Sequence, residues 1–235
     1  CNSATLKDLD YNFIKQFFIK KYEQITNKKI NGSVEDLLKS LDCIKNNKPT
    51  NACILLFGKS PQKFFMNAYV AIAKYKSESS LASVQRLDFK EFKGNLFRQV
   101  DGAVEYIRQN TALMSYLVPG KVARDDYPEY SYYVVREIVT NAIVHRDYSL
   151  DNSNVIIKIF DNSMNIYNLG GLPQKVDITN IAKTQFTRNK IICDVFAKIE
   201  YMEKLGEGWD KILKDYKSNP LKPKLPLVEN ELNTF

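Results

Sequence analysis

Histidine and tryptophan occur once each in this chain of 235 residues, and cysteine 4 times. Cys1, Cys43, Cys53 and Cys193 show no paired spacing. With His145 alone beside them they offer neither a disulfide framework nor a zinc site, and a reducing cytoplasm is the expected setting. No apolar run approaches the length of a membrane span, and no charged-then-apolar leader is present, so no membrane partner is expected. No nucleophile pairs by spacing with His145, which leaves an enzyme built on it, or on Tyr127 to Tyr133, a remote reading. Arginine is scarce: 7 of the 34 basic residues, against 27 acidic ones. The net charge of +7 therefore rests on lysine spread along the whole chain. It reads equally as an electrostatic footprint for nucleic acid and as a lysine-heavy compositional bias. A chain opening Cys1-Asn2-Ser3 without Met is expected to belong to something longer.

What is present suits a folded protein: 44% hydrophobic and 26% charged residues, enough for one large domain or two small ones. Leu6 to Ile25, with Leu9, Phe13, Phe17 and Phe18 among lysines, predicts an amphipathic helix, and Ser33 predicts the cap of a second. Ala52 to Phe57 is short and apolar, as a buried strand is. It runs into Gly58-Lys59-Ser60, which looks like the end of a phosphate-binding loop, but Cys53 stands where that motif needs glycine. Gly58 is thus read as a turn residue and Lys59 as at most a stray phosphate contact. Ala68 to Tyr75 and Gln85 to Phe92 are further strand candidates. Leu96 to Asn110 reads as a helix, Thr111 to Ala123 as strand and turn, and Pro128 as lying in the first turn of the next helix.

That next helix, around REIVTNAIVHRDY (136–148), organises the chain. Tyr133, Glu137, Asn141 and His145 recur every four residues and form one polar stripe, beside an apolar stripe of Val135, Ile138, Val139 and Ala142. A carboxylate one turn before a carboxamide suits metal-assisted phosphate chemistry. The amide oxygen of Asn141 can ligate Mg²⁺ while Glu137 orients or deprotonates water. The same pair would serve equally as solvated polar residues of a surface helix. Val155 to Phe160 and Met164 to Tyr167 then predict a hairpin, followed by Asn168-Leu169-Gly170-Gly171. Ile191 to Ile199 predicts a helix, and Gly206-Glu207-Gly208 opens another, leaving backbone N–H groups to face an anion. Pro220 to Pro226 reads as a linker and Leu227 to Phe235 as an edge strand.

In this order, "REIVTNAIVHRDYS", "IIKIFDNSMNIYNLGGLP", "TRNKII" and "EKLGEGWDKI" resemble the C-terminal ATP-binding region of bacterial and archaeal proteins described as RecG-related ATP-dependent DNA helicases or transcriptional regulators. "FKGNLFRQVDGAVEYIRQN" matches the same pattern. The resemblance covers most of the chain and is strongest from about residue 90. It implies a Schlafen/AlbA-type domain upstream and a winged helix downstream. For this region it implies a fold similar to the GHKL (Bergerat) nucleotide-binding fold of gyrase, Hsp90 and the histidine kinases. The expected fold class is α+β, a two-layer α/β sandwich over 127–235, preceded by a helical lead-in (1–48) and a mixed α/β middle region (49–126).

The resemblance also implies roles, with ATP and Mg²⁺ as cofactors. Glu137 would be the general base and Asn141 the metal ligand. Gly170 and Gly171 would line the base pocket, Gly206 and Gly208 the phosphates, and His145 and Arg146 would face the phosphate end. The segment between the glycine boxes would be a lid, from which Arg188 and Asn189 offer a guanidinium and an amide to phosphate oxygens; Arg188 serves equally to anchor the lid. Asn168 stands where the family's adenine-reading Asp is expected and would meet the adenine amino group through its amide oxygen. Two readings follow. The chain is an ATP-binding module, with slow Mg²⁺-dependent hydrolysis, in a DNA-binding transcriptional regulator without a helicase motor. Alternatively it is a non-catalytic structural or dimerising core with a degenerate pocket. DNA would be met through neighbouring domains, and homo-oligomers are left open.

Overall fold

The computed structural model describes residues 3–76, 85–117, 120, 122, 124–168, 187–203, 207–219 and 225–229. The Asp10 side chain accepts from the Phe13 N–H and starts helix α1 (Tyr11–Phe13). This helix continues through a π-helical stretch (Ile14–Ile19) into α2 (Lys20–Thr26). Helix α3 (Val34–Ser40) opens on the capping box of Ser33 and Asp36. A short hairpin of β1 (Ile44–Lys45) and β2 (Lys48–Pro49) leads to α4 (Asn51–Phe57).

Helix α4 occupies the run expected as a strand. Cys53 to Phe57 are all buried, so their apolarity carries no period that separates helix from strand. The deciding residue is Thr50, whose hydroxyl accepts from the Cys53 N–H as an N-cap. Gly58 ends the helix, bridged to Leu9, where a Cβ would lie 2.5 Å from the Ile54 carbonyl oxygen. The Lys59 ammonium donates to the Lys7 carbonyl at 2.9 Å. The Gly-Lys-Ser triplet thus closes a helix against the N-terminal segment.

Strands β3 (Val70–Tyr75) and β4 (Arg86–Phe92) lie close to their expected places. Helix α5 (Leu96–Asn110) begins at Asn95, whose side chain accepts from the Arg98 N–H. An isolated ribbon of β5 (Leu113–Leu117) and β6 (Arg124–Pro128) follows. Pro128 ends β6 instead of entering the next helix; Ser131 is the cap of α6 (Tyr132–His145). Then come β7 (Val155–Ile159), β8 (Met164–Tyr167), α7 (Lys190–Lys198) and α8 (Glu207–Ser218). Of the edge strand expected over Leu227 to Phe235, residues 227–229 form no regular element and the remainder lies outside the described residues.

The sheet has the order β4-β3-β7-β8, with β3 and β7 parallel and the outer pairs antiparallel. The fold is mixed α+β. One sheet face carries Val70, Ile72, Val155, Ile157 and Ile159, all buried, and Phe92, which packs on Gly102 and edge-to-face on Tyr106 of α5. At the centre of the helical layer sits the Phe97 ring, with Phe13, Phe17, Phe18, Phe57, Phe196 and Tyr201 around it at centroid distances of 4.8–6.3 Å. All three stretches distinguished in the sequence feed this one cluster. Helix α6 belongs to two cores. Val135, Val139 and Ala142 enter the main cluster, whereas Val134 packs with Ile212 and Tyr216 of α8, and Ile138 joins that second group rather than the first.

Candidate functional site

The first half of the polar stripe of α6, Tyr133 and Glu137, lies under α8. Ser131 donates from its hydroxyl to Asp215 at 2.6 Å, tying the start of α6 to α8. Glu137 is 2% exposed. One of its oxygens, Oε1, accepts from the Asn141 amide nitrogen at 3.2 Å, while Oε2 has no hydrogen-bond partner among the described residues. Gly208, in the first turn of α8, sits directly on this carboxyl: a Cβ there would overlap Oε1 and lie 2.9 Å from the carboxyl carbon. Burial raises the Glu137 pKa above its ordinary value, and the charge of Glu203 adds to the rise; the Asn141 hydrogen bond, Arg136 and the Glu203 amide oppose it. Tyr133, one turn earlier, is pushed up to about 12, by burial first and then by Glu137. The structure therefore brings Glu137, Asn141 and Gly208 together.

The C-terminal end of α6 is a different environment. A helix leaves its last carbonyls without intrahelical donors, and here side chains supply them. The amide of Asn168 donates to Ala142 O at 2.8 Å and the Tyr148 hydroxyl to Ile143 O at 3.0 Å. The amide of Asn189 donates to Val144 O at 2.7 Å and to Arg146 O at 2.8 Å, and Arg188 donates to His145 O at 3.2 Å. Arg146 is 4% exposed; it donates to the carbonyls of Leu150 and Ser153, and its guanidinium lies 4.6 Å from the Tyr148 ring centroid. Burial, and then the charge of Arg188, lowers the His145 pKa. Arg146, Asn168, Arg188 and Asn189, proposed from the sequence as ligand contacts, are thus engaged with backbone carbonyls at this end. The sequence reading missed Tyr148 altogether, because nothing in the local pattern marks a phenol that turns back to a carbonyl five residues earlier.

Gly170, Gly171 and Gly206 lie outside the described residues. A cleft of about 660 Å³ opens between Thr50 and Asn51 on one side and Asp147, Arg188 and Lys190 on the other. A smaller hollow of about 330 Å³ borders Tyr133, Lys211 and Asp215. Neither of these two is lined by Glu137 or Asn141; the Glu137 carboxyl lies instead against Gly208 at the α6–α8 contact. Among the described residues no group of three or more His, Cys, Asp or Glu side chains could hold a metal ion. That does not conflict with Mg²⁺ bound together with a nucleotide, since Mg²⁺ keeps several waters and takes one or two protein ligands beside phosphate oxygens. The Asn141 amide oxygen, which makes no hydrogen bond among the described residues, and the unpartnered Oε2 of Glu137 fit that donor set.

Residues 152–235 match the family described as "Putative ATP-dependent DNA helicase recG C-terminal". The matched stretch begins just before β7 and includes Asn168, Arg188, Asn189 and Gly208, but not Glu137 or Asn141. No curated protein matches the chain. Among solved structures, the crystal structure of the DIP2311 protein from Corynebacterium diphtheriae is similar, with a TM-score of 0.71 and 19% identity over 89% of this chain. The match shows a shared fold, and it spans 40% of that protein's chain.

Proposed function

We propose that this chain is an ATP-binding module of the GHKL type whose site lies where α6 meets the start of α8. The observation that carries the reading is the Glu137 carboxyl, buried between the Asn141 amide and the first turn of a helix with one oxygen unpartnered among the described residues. Leaving such an oxygen unsatisfied costs on the order of 1–3 kcal/mol, and a functional group is one reason for a fold to carry that cost. The recG C-terminal match over 152–235 supports nucleotide binding from the other side of the same contact.

In this reading Glu137 holds and deprotonates the attacking water, a task its raised pKa suits. Asn141 holds the Mg²⁺ through its amide oxygen, and the N–H groups at the start of α8 face the phosphates. Bound Mg²⁺ would neutralise phosphate charge as it develops. Asn168, Arg188 and Asn189 position the site by fixing the end of α6. Because Gly208 covers Glu137, opening the site requires α8 to move. Helicase activity is not part of the proposal, since Lys59 of the Gly-Lys-Ser triplet is engaged with the Lys7 carbonyl. A DNA-binding regulator is the longer protein in which we place the module.

A second reading has its own support: the side chains at the end of α6 meet its own carbonyls, as a structural core requires. Titration with a fluorescent ATP analogue, with and without Mg²⁺, separates the two. The module reading expects saturable binding that Asn141→Ala makes Mg²⁺-independent, and hydrolysis, where present, that Glu137→Gln abolishes while sparing affinity. No saturable binding by the parent chain returns the region to a structural role.

A further inference from the structure

The sheet face turned away from α5 and α6 has no role in the site above. Strand pairing sets its pattern: Phe89, Ala73, Lys158 and Asn165 form one row across the four strands, and Glu91, Ala71, Ile156 and Tyr167 the next. Phe89 is 47% and Tyr167 41% exposed, whereas Ala71 and Ala73 between them are 5% and 6% exposed. The face is therefore a shallow trough with an alanine floor and a ring on each outer strand, the outer strands about 14 Å apart at the usual spacing and the rings one row apart along them. Each ring carries a cation. The Arg86 guanidinium lies 5.1 Å from the Phe89 centroid, and the Lys158 ammonium 5.1 Å from that of Tyr167. The acid on this face, Glu91, is neutralised by Lys93 at 2.6 Å.

We infer that this trough binds single-stranded nucleic acid, with unpaired bases stacked on Phe89 and Tyr167 and the backbone phosphates beside Arg86 and Lys158. Rings that already hold cations are suited to a ligand that presents a π-face and a negative charge together. A duplex hides its base faces, so the chemistry selects an unpaired strand. A second copy of this chain is a poor occupant, because a two-fold contact would press two faces carrying the same cations, Arg86 and Lys158, against each other. The net charge of +7 acts in the same direction at longer range.

Fluorescence anisotropy of the whole chain with labelled 12-nucleotide oligo-dT and oligo-U at low salt tests the assignment, and the two probes compare DNA with RNA. Saturable binding to either is expected. Phe89→Leu and Tyr167→Leu, which keep an apolar side chain, should each weaken it at least about five-fold. Lys158→Ala should lower its salt dependence. Ile25→Ala, on α2 within the helical layer, should bind as the parent does, and thermal melting of each variant checks folding. The proposal is overturned if no oligonucleotide binds, if the leucine variants bind as tightly as the parent, or if a 12-base-pair duplex binds equally well. It is also overturned if Phe89→Leu breaks a dimer in sedimentation while leaving oligonucleotide affinity unchanged, which would make the face a protein interface.

Discussion

Glu137 is the residue at which packing and chemistry conflict most. Its carboxyl is buried, its pKa is raised chiefly by that burial, and Gly208 leaves no room beside it. A carboxyl whose folded pKa exceeds its unfolded value holds its proton preferentially in the folded state. Its contribution to stability is complete below the ordinary value of 4.5 and declines as the pH rises through the folded value. Glu137→Gln should therefore flatten the fall in melting temperature from about pH 4.5 upward; parallel curves for variant and parent would show that the carboxyl is not desolvated. Gly208→Ala sets two effects of opposite sign against each other. Helix propensity alone favours alanine by about 1 kcal/mol. Overlap with the Glu137 carboxyl should outweigh it, giving a net loss of about 1–3 kcal/mol in urea denaturation. The loss should be largely recovered in the double variant with Glu137→Ala, and an additive double-mutant cycle would mean that the two residues do not touch.

At the scale of the element, α6 is held more firmly at its C-terminal end than its sequence suggests. Asn189 donates to two carbonyls and Tyr148 to one, all within the last turn and the residue beyond it. Asn189→Ala should cost about 1–3 kcal/mol and Tyr148→Phe about 1 kcal/mol, measured by chemical denaturation. If Asn189→Ala costs nothing, water replaces its amide and the cap is incidental. Local sequence made several elements legible: Ser33 caps a helix, Leu96 to Asn110 is a helix, and the β-branched run from Val155 to Ile159 is a strand. It failed at α4, where burial on every side removes the period by which helix and strand are told apart, and at Pro128, where strand pairing outlasts the proline.

At the scale of the whole molecule, the Phe97 cluster joins residues from the lead-in, the middle region and the C-terminal region in one core. Phe97→Ala should cost about 3–5 kcal/mol and leave a single unfolding transition followed equally by tryptophan fluorescence and circular dichroism. Two separable transitions would instead mark the boundaries near residues 48 and 126 as real divisions of the chain. The sequence by itself determined the α+β class, the main helices and strands, and the pairing of an acid with an amide one turn later, because these depend on spacing within a few residues. Only the tertiary structure decided that Gly208 closes over Glu137 and that Asn168, Arg188 and Asn189 turn to the carbonyls of α6. It alone also set Phe89 and Tyr167 on the same sheet face. Contacts between residues dozens of positions apart are fixed by how helices and strands stack, and no local pattern encodes them.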